Sequence, residues 1–194
     1  DKADVRIRIM HGIDSADTHH AANNLTFGPG GNVYYQRGVF HVSNVETPWK
    51  GPQQHGNSAM YRFNPRTHEY AFHANNSPNP HGVSFNHWGY HFATDGTGGR
   101  AYQVRPDGKG GFKMQTLLNK TVRPVCSSGI LSSDHFPERN NGNFLICNSI
   151  GFLGLKQYTL ATDDAGNVKG TQIEDLLISK KDRNFRPTDF EIGD

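Results

Sequence analysis

Residues 17–44, DTHHAANNLTFGPGGNVYYQRGVFHVSN, decide the fold. Leu25 and Phe27 alternate with polar neighbours, as in a half-buried strand. Gly28-Pro29-Gly30-Gly31 is a turn, and residues 33–36 form a second strand that runs back along the first. The same strand–turn–strand unit recurs in weaker form. In NPHGVSFNHWGYHFATDG the strands are 83–85 and 90–94 around a turn at 86–89. In CSSGILSSDHFPERNNGNFLICN an insertion separates the two strands, and FRPTDFEIGD, from Phe185, reads as the start of a further unit.

Outside these units the pattern predicts more hairpins. Residues 59–63 and 69–72 flank the turn Asn64-Pro65-Arg66-Thr67, and 101–105 and 112–117 flank Pro106-Asp107-Gly108. Residues 155–160 and 171–178 flank the Asp163–Asn167 turn, although Ile173, Leu176 and Leu177 also suit a short helix. Val5, Ile7 and Ile9 alternate with arginines and predict a strand, whereas residues 44–57 lack periodicity and predict a long loop.

Apolar residues make up only 34% of the 194, and 22 are glycine, which favours short strands and turns over helices. The units start near Phe27, Phe85, Leu131 and Phe190, roughly 45–60 residues apart, where four-stranded propeller blades run about 40–50. The expected fold is therefore all-β, a β-propeller with about three and a half blades in this chain: units near 17–77, 78–121 and 122–182, and the start of the next at 183–194. A propeller closes on itself, so the remaining blades are expected outside this chain.

A net charge of +2 gives no basic patch for nucleic acid, and no apolar run approaches the length needed to span a bilayer. The first residue is Asp1 rather than Met, which is expected of a processed product or a fragment. Cys126 and Cys147 fall on segments that can pair, and the pattern is equally consistent with a disulfide and with two buried thiols.

In propellers, polar residues just before each inner strand face the mouth of the central channel. Those positions hold His19 and His20, Asn79 and His81, Ser127 and Ser128, and Arg186. Histidine is a base near neutral pH, and arginine holds anionic oxygens. Each also has a plain structural role: a turn cap for Asn79, a surface pair for Arg186, packing for the histidines. Adjacent residues of an extended segment point to opposite sides, so His19 and His20 are poorly placed to share a metal. No HExxH, CxxC, CxxCH or GxSxG spacing occurs, and no metal ligands are assigned.

DTHHAANNLTFGPGGNVYY resembles the glucose/sorbosone dehydrogenase propellers. SNVETPW, PNPHGVSFNHWGYHFATDGTGG, CSSGILSSDHFPERNNGNFLICNSIGF and NFRPTDFEIG resemble more closely the planctomycete-type membrane-bound dehydrogenase domain proteins, which are haem-associated propellers. That resemblance implies an exported, periplasmic or extracellular six-bladed propeller oxidising a sugar or other alcohol, with electrons passing to a quinone or cytochrome. It further implies pyrroloquinoline quinone (PQQ) held with calcium, and a c-type haem domain or cytochrome partner, for which these residues carry no attachment motif. By the same resemblance His20 is the catalytic base, His19 and His81 lie on the substrate side, and Asn79 and Arg186 contact the cofactor. The sequence departs from the pattern where Pro78 and Gly151 stand in place of an arginine and a lysine, and Thr188 replaces a second arginine. The alternative expectation is a non-catalytic propeller that binds a glycan or a partner protein.

Overall fold

The computed structural model describes residues 2–121 and 123–193. The protein is all-β, with two short 3-10 turns at Thr18–His20 and Glu138–Asn140. Its largest sheet contains β1 (Asn23–Phe27), β2 (Val33–Arg37), β5 (Ala59–Phe63) and β6 (Tyr70–Asn75), then β10 (Phe112–Leu118), β9 (Arg100–Pro106), β8 (His91–Asp95) and β7 (Pro80–Phe85), in that spatial order. Between β2 and β5 the chain forms a separate hairpin of β3 (Val42–Thr47) and β4 (Lys50–Gly56).

All neighbours in the eight-stranded sheet are antiparallel except β6 and β10, which meet in parallel at one register pair, Ala74 and Phe112. The sheet is thus two four-stranded meanders joined along their outer strands. It curls until its end strands, β1 and β7, come together: the Gly82 N–H donates to Asn24 Oδ1 at 2.7 Å, and Thr26 Oγ1 donates to the Val83 carbonyl at 3.5 Å. A third meander, β11 (Val125–Ile130), β12 (Phe144–Asn148), β13 (Gly154–Thr162) and β14 (Val168–Gln172), lays β11 along β7. The short β15 (Leu177–Ile178) pairs with β13.

Alternation along the strands explains how so little apolar sequence fills four packed clusters. In β2, Tyr34 packs with Met60, Val83, Ala93 and Val104 between the first two meanders, while Tyr35 points the other way against Val45, Tyr61 and Tyr70. In β12, Phe144 and Ile146 join Phe92, Val125 and Tyr158, and Leu145 and Cys147 face Leu131 and Leu155.

Polar groups complete the interior. Arg37 is fully buried without a carboxylate partner among the described residues, and its five N–H groups go to the Tyr61 hydroxyl, twice, and to the carbonyls of His41, Asn57 and His55. It ties the β3–β4 hairpin to the sheet. Gln103 joins the second and third meanders, accepting from Val168 N at 2.9 Å and donating to the Gly166 carbonyl at 3.1 Å.

Several expectations need correction. Residues 44–57 are a hairpin rather than a loop: buried Ser43 and Val45 alternate with exposed Val42 and Asn44, and the prolines sit at its turn and on its exposed strand. Val5 and Ile7 are exposed and form no strand, since nothing pairs with them among the described residues. Residues 185–193 are likewise not a strand; they run beside β11, with Phe190 filling the space over Gly129. Both cysteines are free thiols, and burial pushes Cys147 up to about 12. No helix among the described residues is long and apolar enough to cross a membrane.

Candidate functional site

The leading ends of β1, β7 and β11 lie together and are linked by backbone bonds. Gly38 N donates to the His20 carbonyl at 2.9 Å and Val39 N to the Pro78 carbonyl at 3.1 Å. Gly96 N donates to the Asn79 carbonyl at 2.8 Å, and Val125 N to the Gly96 carbonyl at 3.0 Å. Each meander's second strand thereby anchors the start of the next. Gly38 is required at this junction, because a Cβ there would stand 2.6 Å from His20 Cδ2 and 2.7 Å from the Pro78 carbonyl oxygen.

Asp17 caps the turn that presents His20, its Oδ1 accepting the His19 N–H at 2.9 Å. That bond, with a further contribution from the His20 ring, holds the Asp17 carboxyl below its ordinary value. His20 Nδ1 lies 3.4 Å from Asp17 Oδ2, and His20 Nε2 lies 2.5 Å from Asn79 Oδ1. The ring edge rests on Phe40, and the side chain is 13% exposed. Carboxylate, imidazole and amide thus form a line across the starts of β1 and β7. Asn79 Oδ1 can only accept, so in this contact Nε2 is the donor, and Nε2 faces another group as a base only when the amide leaves it while the Asp17 carboxylate keeps a proton at Nδ1.

His81 stands beside this line, its ring over Gly96, where a Cβ would fall 2.8 Å from Cδ2. Burial lowers its pKa, the Asp95 charge opposes that shift, and His20 adds to it. Asp95 is itself buried and accepts the Gly98 N–H at 2.7 Å. Sequence reasoning missed Asp95, because an aspartate followed by glycine reads as an ordinary turn.

Two expected site residues fall outside this group. His19 is 90% exposed and meets only Asp17, at 3.8 Å. Its backbone serves the cap while its ring turns to solvent. Arg186 is exposed and donates through one Nη to the Ser149 carbonyl at 2.7 Å, just past β12. Nearby, Ser127 donates to Asp189 Oδ1 at 2.6 Å.

Beyond the leading ends, β1, β7, β11 and residues 189–192 line an open cavity of about 690 Å³. Asn24, Thr26, Ser84, Ser128 and Asp189 give its wall polar groups. The buried hydroxyls of Ser84 and Ser128 have no partner among the described residues. Beside it, Gln36 donates to Asn24 Oδ1 at 3.2 Å and accepts from Asn76 at 2.8 Å, which fixes the wall. Such a cavity suits water or a hydroxyl-rich molecule.

The residues do not fit the cofactor that the resemblance implies. A PQQ anion needs several fixed cations. Pro78 offers only a carbonyl already bound by Val39, and Gly151 is a turn glycine with φ 78°, which leaves Arg186 as the single cation at these positions. No group of three or more His, Cys, Asp or Glu side chains is placed to hold a metal ion among the described residues.

A comparison with curated proteins gave no match. Residues 1–121, more than half the chain and the whole of the His20–Asn79–His81 group, match a domain of unknown function, DUF7133. The chain belongs to the DUF7133 family.

Proposed function

We propose that this chain is part of an exported β-propeller that binds a sugar or other alcohol at the mouth of its central channel and removes the hydroxyl proton with His20 during oxidation. Three successive four-stranded meanders, with β1, β7 and β11 gathered around one polar cavity, support the propeller reading. The observation that carries the chemistry is the Asp17–His20–Asn79 line at that mouth. Asp17 steadies the imidazolium formed when Nε2 takes the proton, and the substrate oxygen replaces the Asn79 amide at Nε2. His81 and the cavity hydroxyls orient the remaining hydroxyl groups. The two electrons and the second hydrogen leave as hydride to an external acceptor of the quinone class, from which a cytochrome takes the electrons one at a time and the protons pass to solvent.

A second reading, binding of a glycan or partner protein without turnover, is favoured by the occupied state of His20 Nε2 and by the lack of a cationic clamp. Dye-linked oxidation of a panel of sugars and alcohols, with and without added PQQ and calcium, separates the two. Under the first reading turnover occurs, and His20→Ala lowers it about 10²–10⁴-fold, with Asp17→Asn intermediate. Calorimetric binding of the same sugars without oxidation supports the second reading instead. Turnover untouched by His20→Ala would remove His20 from the mechanism.

A further inference from the structure

Two tryptophans lie on the surface, and only one is braced. Trp88 is 81% exposed at the tip of the β7–β8 turn, with His87 against its edge. Trp49, at the tip of the β3–β4 hairpin, is 67% exposed yet stacks on His68, with centroids 4.6 Å apart and planes 24° apart. His68 in turn lies nearly parallel to Phe63, at 6.2 Å and 8°. The three rings form a short ladder whose outermost face is the free side of the Trp49 indole.

The ladder is fixed from both sides. His68 has φ 57°, a left-handed conformation uncommon for a residue with a Cβ, although histidine enters it more readily than most. It lies in the 64–69 turn, where Asn64 Oδ1 accepts Arg66 N at 2.9 Å and Thr67 N at 3.1 Å, and Asn64 N donates to the Glu69 carbonyl at 2.8 Å. The hairpin is held by Arg37 at its base, by Gln53, which donates to the Tyr70 carbonyl at 3.3 Å, and by His55 stacked on Phe72 at 4.6 Å. A large apolar plane kept rigid in water loses little freedom when a ligand covers it.

We propose that the outer face of Trp49 is a binding platform for a pyranose ring of a glycan, separate from the His20 site. The flat C–H face of such a sugar matches a single open indole plane, and its hydroxyls match the exposed hydrogen-bonding residues that flank the two stacked rings in sequence, Lys50 after Trp49 and Arg66, Thr67 and Glu69 around His68. A quaternary ammonium needs several aromatic walls, and an extended proline-rich peptide needs a groove between aromatic ridges. Trp49 offers one plane and mixed charge.

The presence of only two tryptophans makes the test direct, since each gives one indole N–H signal in a ¹⁵N-correlated NMR spectrum. Laminarihexaose, xylohexaose and mannohexaose are titrated separately into the whole chain to about 10 mM. At least one should move the Trp49 signal progressively while leaving Trp88 in place. Trp49→Ala should weaken binding of that sugar at least about tenfold, and Trp88→Ala should leave it unchanged. His68→Gly, which suits the left-handed backbone but removes the stacking base, should weaken it with Trp49 still present. The proposal is overturned if no hexasaccharide moves Trp49, if Trp49→Ala binds as well as the parent, or if decaproline moves Trp49 and the sugars do not. These readouts are independent of oxidation at His20.

Discussion

His73 and His91 stack between the first two meanders, 5.3 Å apart, with Tyr34 and Phe112 against the His73 ring. Neither nitrogen of His73 has a hydrogen-bond partner among the described residues. Burial holds His73 down to about 4 and His91 to about 3, from an ordinary 6.5, with Arg62 adding to the effect on His73 and His73 to that on His91. The unfolded chain takes up these protons as pH drops below 6.5, and the folded chain does not. Stability is therefore complete above 6.5 and is lost as pH falls, until the folded rings titrate near 4 and 3.

At about 1.4 kcal/mol for each pH unit, His73 removes about 3 kcal/mol by pH 4, and His91 a similar amount over the same window. His73→Phe deletes the unpartnered nitrogens in an aromatic setting, so at about pH 7.5 it should match or exceed the parent in stability. It should also flatten the acid side of the profile by about 3 kcal/mol. Urea unfolding midpoints at several values between about pH 7.5 and 4.5 measure both effects. An acid loss in His73→Phe within about 1 kcal/mol of the parent would refute the reasoning, as would a cost above about 2 kcal/mol at neutral pH.

Arg37→Ala leaves the His41, Asn57 and His55 carbonyls and the Tyr61 hydroxyl short of a donor, so we expect a loss of about 4 kcal/mol and a Tm lower by about 10 °C in calorimetry. Arg37→Lys should fall between that variant and the parent, since an ammonium keeps the charge with fewer directed donors. Gly82 has φ 97°, and a Cβ there would lie 2.3 Å from Thr94 Oγ1 and 2.7 Å from Ser128 Oγ. Gly82→Ala should therefore cost at least about 2 kcal/mol in urea unfolding. Gly51→Ala, at an open position, should stay within about 0.5 kcal/mol.

The strands that were legible in the sequence are those with a regular pleat and an explicit turn, such as 59–63 against 70–75 across Asn64-Pro65 and 101–105 against 112–117 across Asp107-Gly108. The β3–β4 hairpin was illegible because β4, KGPQQHG, has no buried face of its own and is held by backbone pairing and by Arg37. The VRIRIM segment alternates like a strand, but alternation specifies a sheet face only when a neighbouring strand supplies the edge. At the site, His20 and Asn79 could be picked out separately from their places before inner strands. Their contact could not, since 59 residues of chain separate them and only the curl of the sheet closes that gap. Arg186 could likewise be picked out by residue type, but its bond to the Ser149 carbonyl, 37 residues back, could not.

The bonds that pass from Gly38 and Val39 to His20 and Pro78, and from Gly96 to Asn79 and Val125, are all made at one end of the inner strands. The turns at 28–31 and 86–89 lie at the opposite end, where the Gly89 Cβ position and Pro29 are neighbours at 3.9 Å. The two ends therefore answer to different constraints over evolutionary time. Insertions at the far turns lengthen a loop and leave the His20–Asn79 spacing untouched, whereas one added residue between Arg37 and Val39 would move His20 and Pro78 together. Length variation among related chains should accordingly collect at the far turns, and the three-residue span around Gly38 should keep its length even where its sequence drifts.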